Sequence, residues 1–194
     1  MPERVPAICR AVEGATVLDL GAVQHDASAA ASDDWLHGRL SEQCERVIGV
    51  DTEAEAVATL REQGYDIRVG DATTLNLDVT ADTVVAGELL EHVGDAAGLV
   101  ASARRHLRPG GRRVLSTPNP WLLARQLRDA AVNSAHVAWY GPTVLRQLLD
   151  REGFVEISVR GVGPDHRGLT GVAPRLGCDH LGETTWLATA RRPA

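Results

Sequence analysis

Lysine is absent from this chain of 194 residues, and all 20 of its basic side chains are arginine. Arginine stays protonated at neutral pH, so it offers no amine for a Schiff base and no proton to shuttle. That excludes a P-loop nucleotidase, a pyridoxal enzyme and a kinase-type phosphate clamp. Codon bias in a GC-rich genome accounts for such usage without any functional cause. Cysteine is scarce as well, and Cys9, Cys44 and Cys178 are too few and too scattered for a disulfide framework. No apolar run approaches the ~20 residues that span a bilayer, which excludes a membrane-crossing role. The first ten residues carry charges together with Pro2 and Pro6 where a signal peptide needs an apolar core, so the expected compartment is the cytoplasm. With 26 acidic residues the formal charge is -6, which weighs against duplex nucleic acid as the main partner.

An apolar fraction of 44% and a charged fraction of 24% are those of a globular chain, here read as a single domain over 1–194. Short apolar runs alternate with longer helical patterns, the signature of a parallel α/β sheet. The runs are Thr16 to Leu20, Arg46 to Val50, Asp66 to Val69, Thr83 to Ala86 and Arg113 to Ser116. Helices are expected from near Asp33 or Asp34, after an Asp51-Thr52 cap, and from Asp95 to Leu107, whose Leu99, Val100 and Ala103 share one face. Arg108-Pro109-Gly110-Gly111 reads as a turn. Further helices are expected from Trp121 to about Ala131 and from Pro142 to Glu152. Strands follow at Phe154 to Val162 and Thr184 to Ala190. The fold class is therefore α/β, a doubly wound, Rossmann-like sheet of seven strands, mostly parallel with the last antiparallel.

In such a sheet ligands sit beyond the carboxyl ends of the strands, so the residues just after each run carry the information. These are Asp19-Leu20-Gly21-Ala22, Val50-Asp51-Thr52, Gly70-Asp71-Ala72 and Gly87-Glu88-Leu89-Leu90-Glu91-His92. Asp51 stands where a carboxylate can accept both hydroxyls of a ribose. A nicotinamide dinucleotide also needs G-x-G-x-x-G to bring backbone amides to its pyrophosphate, and after Gly21 the chain reads Ala-Val-Gln-His-Asp. The ligand expected is a nucleoside without a pyrophosphate, and a nicotinamide oxidoreductase is the less favoured enzyme reading.

Taken together these segments resemble the class I S-adenosylmethionine-dependent methyltransferases. VLDLG at Val17 to Gly21, VIGVDT at Val47 to Thr52, GDAT at Gly70 to Thr73, DTVVAGELLEHV at Asp82 to Val93 and LRPGG at Leu107 to Gly111 are similar to five family motifs in order. The resemblance implies S-adenosylmethionine as cofactor. It places Asp19 and Gly21 near the methionine moiety, Asp51 on the ribose, and Thr52 as cap of the next helix. Asp71 with the Ala72 amide would meet the adenine, and Gly87 and Glu88 would floor the space between cofactor and acceptor. Only the first glycine of the family's usual G-x-G-x-G is present, and an insert running to Trp35, Leu36, His37 and Gly38 is expected to cover the site.

STPNP at Ser116 to Pro120 and the stretch from His136 to Phe154 resemble a subgroup acting on small molecules, so O-methylation of a small-molecule acceptor is the expected reaction. A hydroxyl acceptor needs a base, and His92, His136 and His25 are the candidates. Glu88, Glu91 and His92 form E-x-x-E-H, which resembles a divalent-metal cluster of some relatives with His136 as a further ligand. The same letters also suit a helix start after strand four, and no metal ligand is assigned. Trp35 and Trp121 suit either an acceptor pocket or the core. His25 and His37 suit either substrate contact or a solvated loop. Arg104-Arg105 reads as a solvated helix face, and Arg112-Arg113 as a pair flanking a strand. A non-catalytic binding or partner subunit is the alternative from another class, and a homo-oligomer or a partner subunit would supply what a short chain lacks.

Overall fold

The computed structural model describes residues 3–24, 27–122, 135–163 and 183–194. Its seven strands are β1 (Thr16–Leu20), β2 (Arg46–Asp51), β3 (Ile67–Val69), β4 (Ala81–Gly87), β5 (Leu107–Pro118), β6 (Val155–Val162) and β7 (Thr185–Arg191). They form one sheet in the order β3-β2-β1-β4-β5-β7-β6. β7 lies between β5 and β6 and is antiparallel to both, while the neighbouring pairs from β3 to β5 are parallel. The helices are α1 (Arg4–Ala11), α2 (Leu36–Gln43), α3 (Ala54–Glu62), α4 (Ala96–His106) and α5 (Pro142–Arg151).

Strand side chains alternate between faces, and here both faces are apolar because helices cover each of them. Leu18, Leu20, Ile48, Val84 and Leu115 pack with Leu99, Val100 and Ala103 of α4 and Leu145 and Leu149 of α5. On the other face Val17, Val47, Val85 and Val114 meet Val5 and Ile8 of α1 and Leu36 and Leu40 of α2. A smaller cluster joins Ala22, Val23 and Trp35 to Val57 and Leu60 of α3 and Ile67 of β3.

Several expectations are corrected. α1 was not anticipated; Pro6 sits in its first turn, where a proline leaves no helical hydrogen bond unmade, and Val5, Ala7 and Ile8 supply a buried face. The connection from α1 to β1 is tied to β4, where Thr83 Oγ1 accepts from Glu13 N and Asp82 Oδ2 accepts from the amides of Ala15 and Thr16. Thr52 does not cap α3. Glu53 stands at the cap position without a side-chain cap bond, and Asp51 Oδ1 instead accepts from Glu53 N at 3.2 Å. The expected turn at 108–111 lies inside β5, as a register jump between the pairs Ala81–Leu107 and Thr83–Arg112 with Gly110 at φ 73°. Arg112 and Arg113, expected to flank a strand, lie inside β5, and Arg113 is wholly buried. α4 follows the sequence reading closely, with Asp95 Oδ1 accepting from Gly98 N at 2.8 Å as its cap. The helix expected over Trp121 to Ala131 falls largely outside the described residues.

Candidate functional site

The strand order reverses between β1 and β4, one running to β2 and β3 and the other to β5, which makes the ends of these two strands the topological switch point. Around it the structure gathers the residues expected from sequence. Asp19 is near the end of β1, Asp51 ends β2, Asp71 follows β3, Gly87 ends β4 and Glu88 follows it. His25 lies outside the described residues.

The loop after β1 is pinned to β2. Gly21 N and Ala22 N donate to Val50 O at 2.8 and 3.2 Å, and Val23 N donates to Asp51 Oδ2 at 2.9 Å. Gly21 takes φ 80°, a conformation that favours glycine, and a Cβ there would stand 3.2 Å from Leu89 Cδ1. Each Asp51 oxygen thus takes one backbone amide, which holds the carboxylate and leaves each oxygen a second lone pair for a ligand hydroxyl. Asp71 is exposed, and its Oδ1 accepts from the amide and hydroxyl of Thr73 at 2.8 and 2.7 Å. Those bonds hold the carboxyl below its ordinary range, so it is ionised at neutral pH. Ala72 beside it is buried in the core.

The aromatic and imidazole groups in the described part of the insert are buried. Trp35 is buried, donates Nε1–H to Ala22 O at 2.8 Å, and stacks edge-on against Tyr65 at 4.7 Å between ring centres. His37 is neither solvated nor in a loop: it is inside α2, fully buried, with Nδ1 3.0 Å from Asp19 Oδ2. Trp121 is 43% exposed and sits beyond the end of β5, 6.3 Å from Trp186 ring to ring.

Beyond β4 a second group forms. Glu88 takes φ 55°, unusual for a residue with a side chain, and its amide donates to Ser116 O at 3.0 Å. Glu91 is fully buried, and Thr117 Oγ1 donates to its Oε2 at 2.9 Å, with no partner for Oε1 among the described residues. Burial, and then the nearby Glu88 charge, push its carboxyl up to about 8. His92 Nδ1 donates to Ala135 O at 3.2 Å, which fixes the tautomer and leaves Nε2 as the basic nitrogen. His136 is 4.7 Å from His92 and 5.2 Å from Trp139 between ring centres. Ligand atoms of Glu91, His92 and His136 lie within 4.8 Å of one another, whereas Glu88 is not in that group. Two imidazoles and a carboxylate suit a borderline divalent cation.

Sequence reasoning missed three participants. Thr117 holds Glu91 and was readable only as part of STPNP. Arg4 reaches the end of β4, where a Cβ on Gly87 would stand 3.1 Å from its Nη1, and its charge opposes the rise at Glu91. The pairing of His37 with Asp19 carries no local sequence signal, because the two are brought together by helix packing.

Residues 3–159 match the sequence profile of the family described as Methyltransferase domain. The chain belongs to the class I S-adenosylmethionine-dependent methyltransferase family. A probable S-adenosylmethionine-dependent methyltransferase of Mycolicibacterium smegmatis is 35% identical over 126 residues, covering 63% of this chain and 49% of that protein. A ubiquinone biosynthesis O-methyltransferase of Xylella fastidiosa is 30% identical over 159 residues, covering 77% and 60%. The crystal structure of an S-adenosylmethionine-dependent methyltransferase from Archaeoglobus fulgidus superposes with a TM-score of 0.71 at 16% identity, covering 97% of this chain and 91% of that one. This methyltransferase chain spans about half the length of the mycobacterial relatives it matches. No helix among its described residues is long and apolar enough to cross a membrane.

Proposed function

We propose that the protein transfers the methyl group of S-adenosylmethionine to an oxygen of a small molecule. The observation that carries this reading is the cluster of Glu91, His92 and His136 beyond β4, within the same strand-end region that presents Asp19, Asp51 and Asp71. The acids suit a donor that brings a ribose, an adenine amino group and a positive charge. In the transfer the carbon–sulfur bond of the sulfonium breaks as a carbon–oxygen bond forms, S-adenosylhomocysteine leaves, and the hydroxyl proton passes to a base. His92 Nε2 and His136 are the described candidates for that base, and holding donor and acceptor in line supplies much of the rate. The O-methyltransferase among the relatives is consistent with an oxygen acceptor.

Calorimetric titration with S-adenosylmethionine and S-adenosylhomocysteine tests the donor half. Saturable binding weakened at least tenfold by Asp51→Ala is expected, and the absence of heat at high protein concentration overturns the reading. Radiolabelled methyl transfer to hydroxylated small molecules tests the acceptor half, with Asp51→Ala as the control. Binding without turnover would favour the non-catalytic subunit.

A second reading of the same cluster rests on its donor set: Glu91, His92 and His136 would hold a divalent cation, which would supply charge to stabilise a deprotonated hydroxyl. Metal analysis after dialysis against zinc or magnesium decides it, since His136→Ala should lower the bound metal to background.

A further inference from the structure

Asp51 accepts backbone amides and Asp71 is open to solvent, but the third strand-end aspartate has neither. Asp19 is 1% exposed and its only described hydrogen-bond partner is His37, itself 1% exposed. A carboxylate oxygen only accepts, so Nδ1 carries the proton and donates to Oδ2 across 3.0 Å. Asp19 Oδ1 and His37 Nε2 then remain without partners among the described residues. Orphaned polar atoms in a protein core are uncommon and ask for an occupant or a function.

The imidazole is held with little freedom. Its ring lies 5.4 Å from that of Trp35 and 5.9 Å from that of Tyr65. On its sheet side Gly49 leaves the room it needs, since a Cβ at Gly49 would stand 2.8 Å from His37 Cε1. Trp35, two residues before it, is tied through Nε1 to Ala22 O, within the loop that lacks the family's later glycines. The insert therefore brings two anchors to the end of β1: Trp35 on the loop backbone and His37 on the carboxylate.

We infer that His37 is a positioning residue for cofactor binding: its Nδ1–H fixes the rotamer of Asp19 so that Oδ1 faces the amino-acid end of the bound cofactor. The inference rests on the proposed cofactor site. It goes beyond that reading by giving the inserted helix a task that the missing glycines leave open.

The test exploits a cofactor fragment. S-adenosylhomocysteine carries the amino-acid end, whereas 5′-methylthioadenosine keeps the adenosine and lacks that end. Calorimetric or fluorescence titration of His37→Leu should show at least a tenfold loss of affinity for S-adenosylhomocysteine and less than a threefold change for 5′-methylthioadenosine. His37→Asn, whose amide nitrogen takes the place of Nδ1, should restore most of the loss, and His37→Gln, which presents its amide near the Nε2 position, should not. A merely structural histidine would weaken both ligands alike or neither, and either result overturns the inference. Should the leucine variant fail to fold, the contrast between Asn and Gln decides, and equal affinities in the two would also overturn it. A wild-type protein that binds 5′-methylthioadenosine but not S-adenosylhomocysteine overturns the inference alone, whereas one that binds neither overturns the cofactor reading first.

Discussion

Arg113→Met is expected to make this protein more stable. Arg113 sits in β5 with no exposure, donates from Nη1 to Val84 O at 3.3 Å, and has no partner for Nε or Nη2 among the described residues. Burial pushes the guanidinium down from its ordinary value to about 9, partly opposed by the charge of Asp19. A fall of that size corresponds to roughly 5 kcal/mol of disfavoured charge, at about 1.4 kcal/mol per pH unit. Methionine matches the unbranched stem, and a volume-conserving apolar exchange costs at most about 1.5 kcal/mol. The net gain should be about 2–4 kcal/mol, or about 5–12 °C in Tm for a domain of this size. The pH dependence adds an independent check. The folded state holds the proton less tightly than the unfolded one, so the penalty is fully present at pH 7 and shrinks as pH rises through 9. Wild type should therefore close part of the gap to the variant between about pH 8 and pH 10.5, read by urea unfolding in parallel. A variant that is less stable than wild type, or a gap that ignores pH, would refute the account and imply that the guanidinium is satisfied.

Asp82 should stabilise at neutral pH and fail in acid. The amides of Thr16 and Ala15 and the guanidinium of Arg108 hold its carboxyl below the ordinary carboxylate value. Its contribution is thus present above about pH 4 and lost as pH falls through the folded value. Asp82→Asn should cost about 1–2 kcal/mol at pH 7, with wild type and variant converging in chemical denaturation as pH falls below the ordinary aspartate range. Gly49→Ala should cost at least about 1–3 kcal/mol, because the added Cβ would stand 2.8 Å from both Ala22 Cβ and His37 Cε1 and 2.9 Å from Ile67 Cγ1. A thermal melt unchanged by that exchange would contradict the packing. Trp35→Phe removes the donor to Ala22 O and should lower stability by about 1–3 kcal/mol, with proteolysis around residue 24 rising in step.

The sheet was legible because its strands are short runs of Val, Ile and Leu bounded by acids and glycines, a pattern set locally by burial on both faces. The antiparallel β7 was legible from its loop connection, but its place between β5 and β6 was not, since strand order is decided by which edges meet. α1 was hidden by Pro6 and a short apolar stripe. Of the site, the acids at the strand ends could be read from position alone. Glu91 could be read as a letter in a motif, whereas its burial and its bond from Thr117 depend on β5 lying alongside. The burial of Arg113 and of His37 was not legible for one reason: whether a polar side chain is covered depends on what the third dimension packs over it.

The absence of the later glycines from the first motif has a physical counterpart in the loop's packing. In a glycine loop the backbone itself supplies the cofactor wall, and side chains must be absent to let the ligand approach. Here Ala22 and Val23 turn their side chains into the cluster formed with Trp35, Val57, Leu60 and Ile67, so the loop keeps its path by apolar anchoring rather than by conformational freedom. Its amides are spent on Val50 and Asp51, which fixes the proposed ribose-binding carboxylate from the loop side. A loop held in this way is less free to close around a ligand than a glycine loop, so side chains must make the cofactor interactions that a glycine backbone would otherwise provide. Among the described residues Asp19, set by His37, is the side chain at the end of β1 with an oxygen left to give.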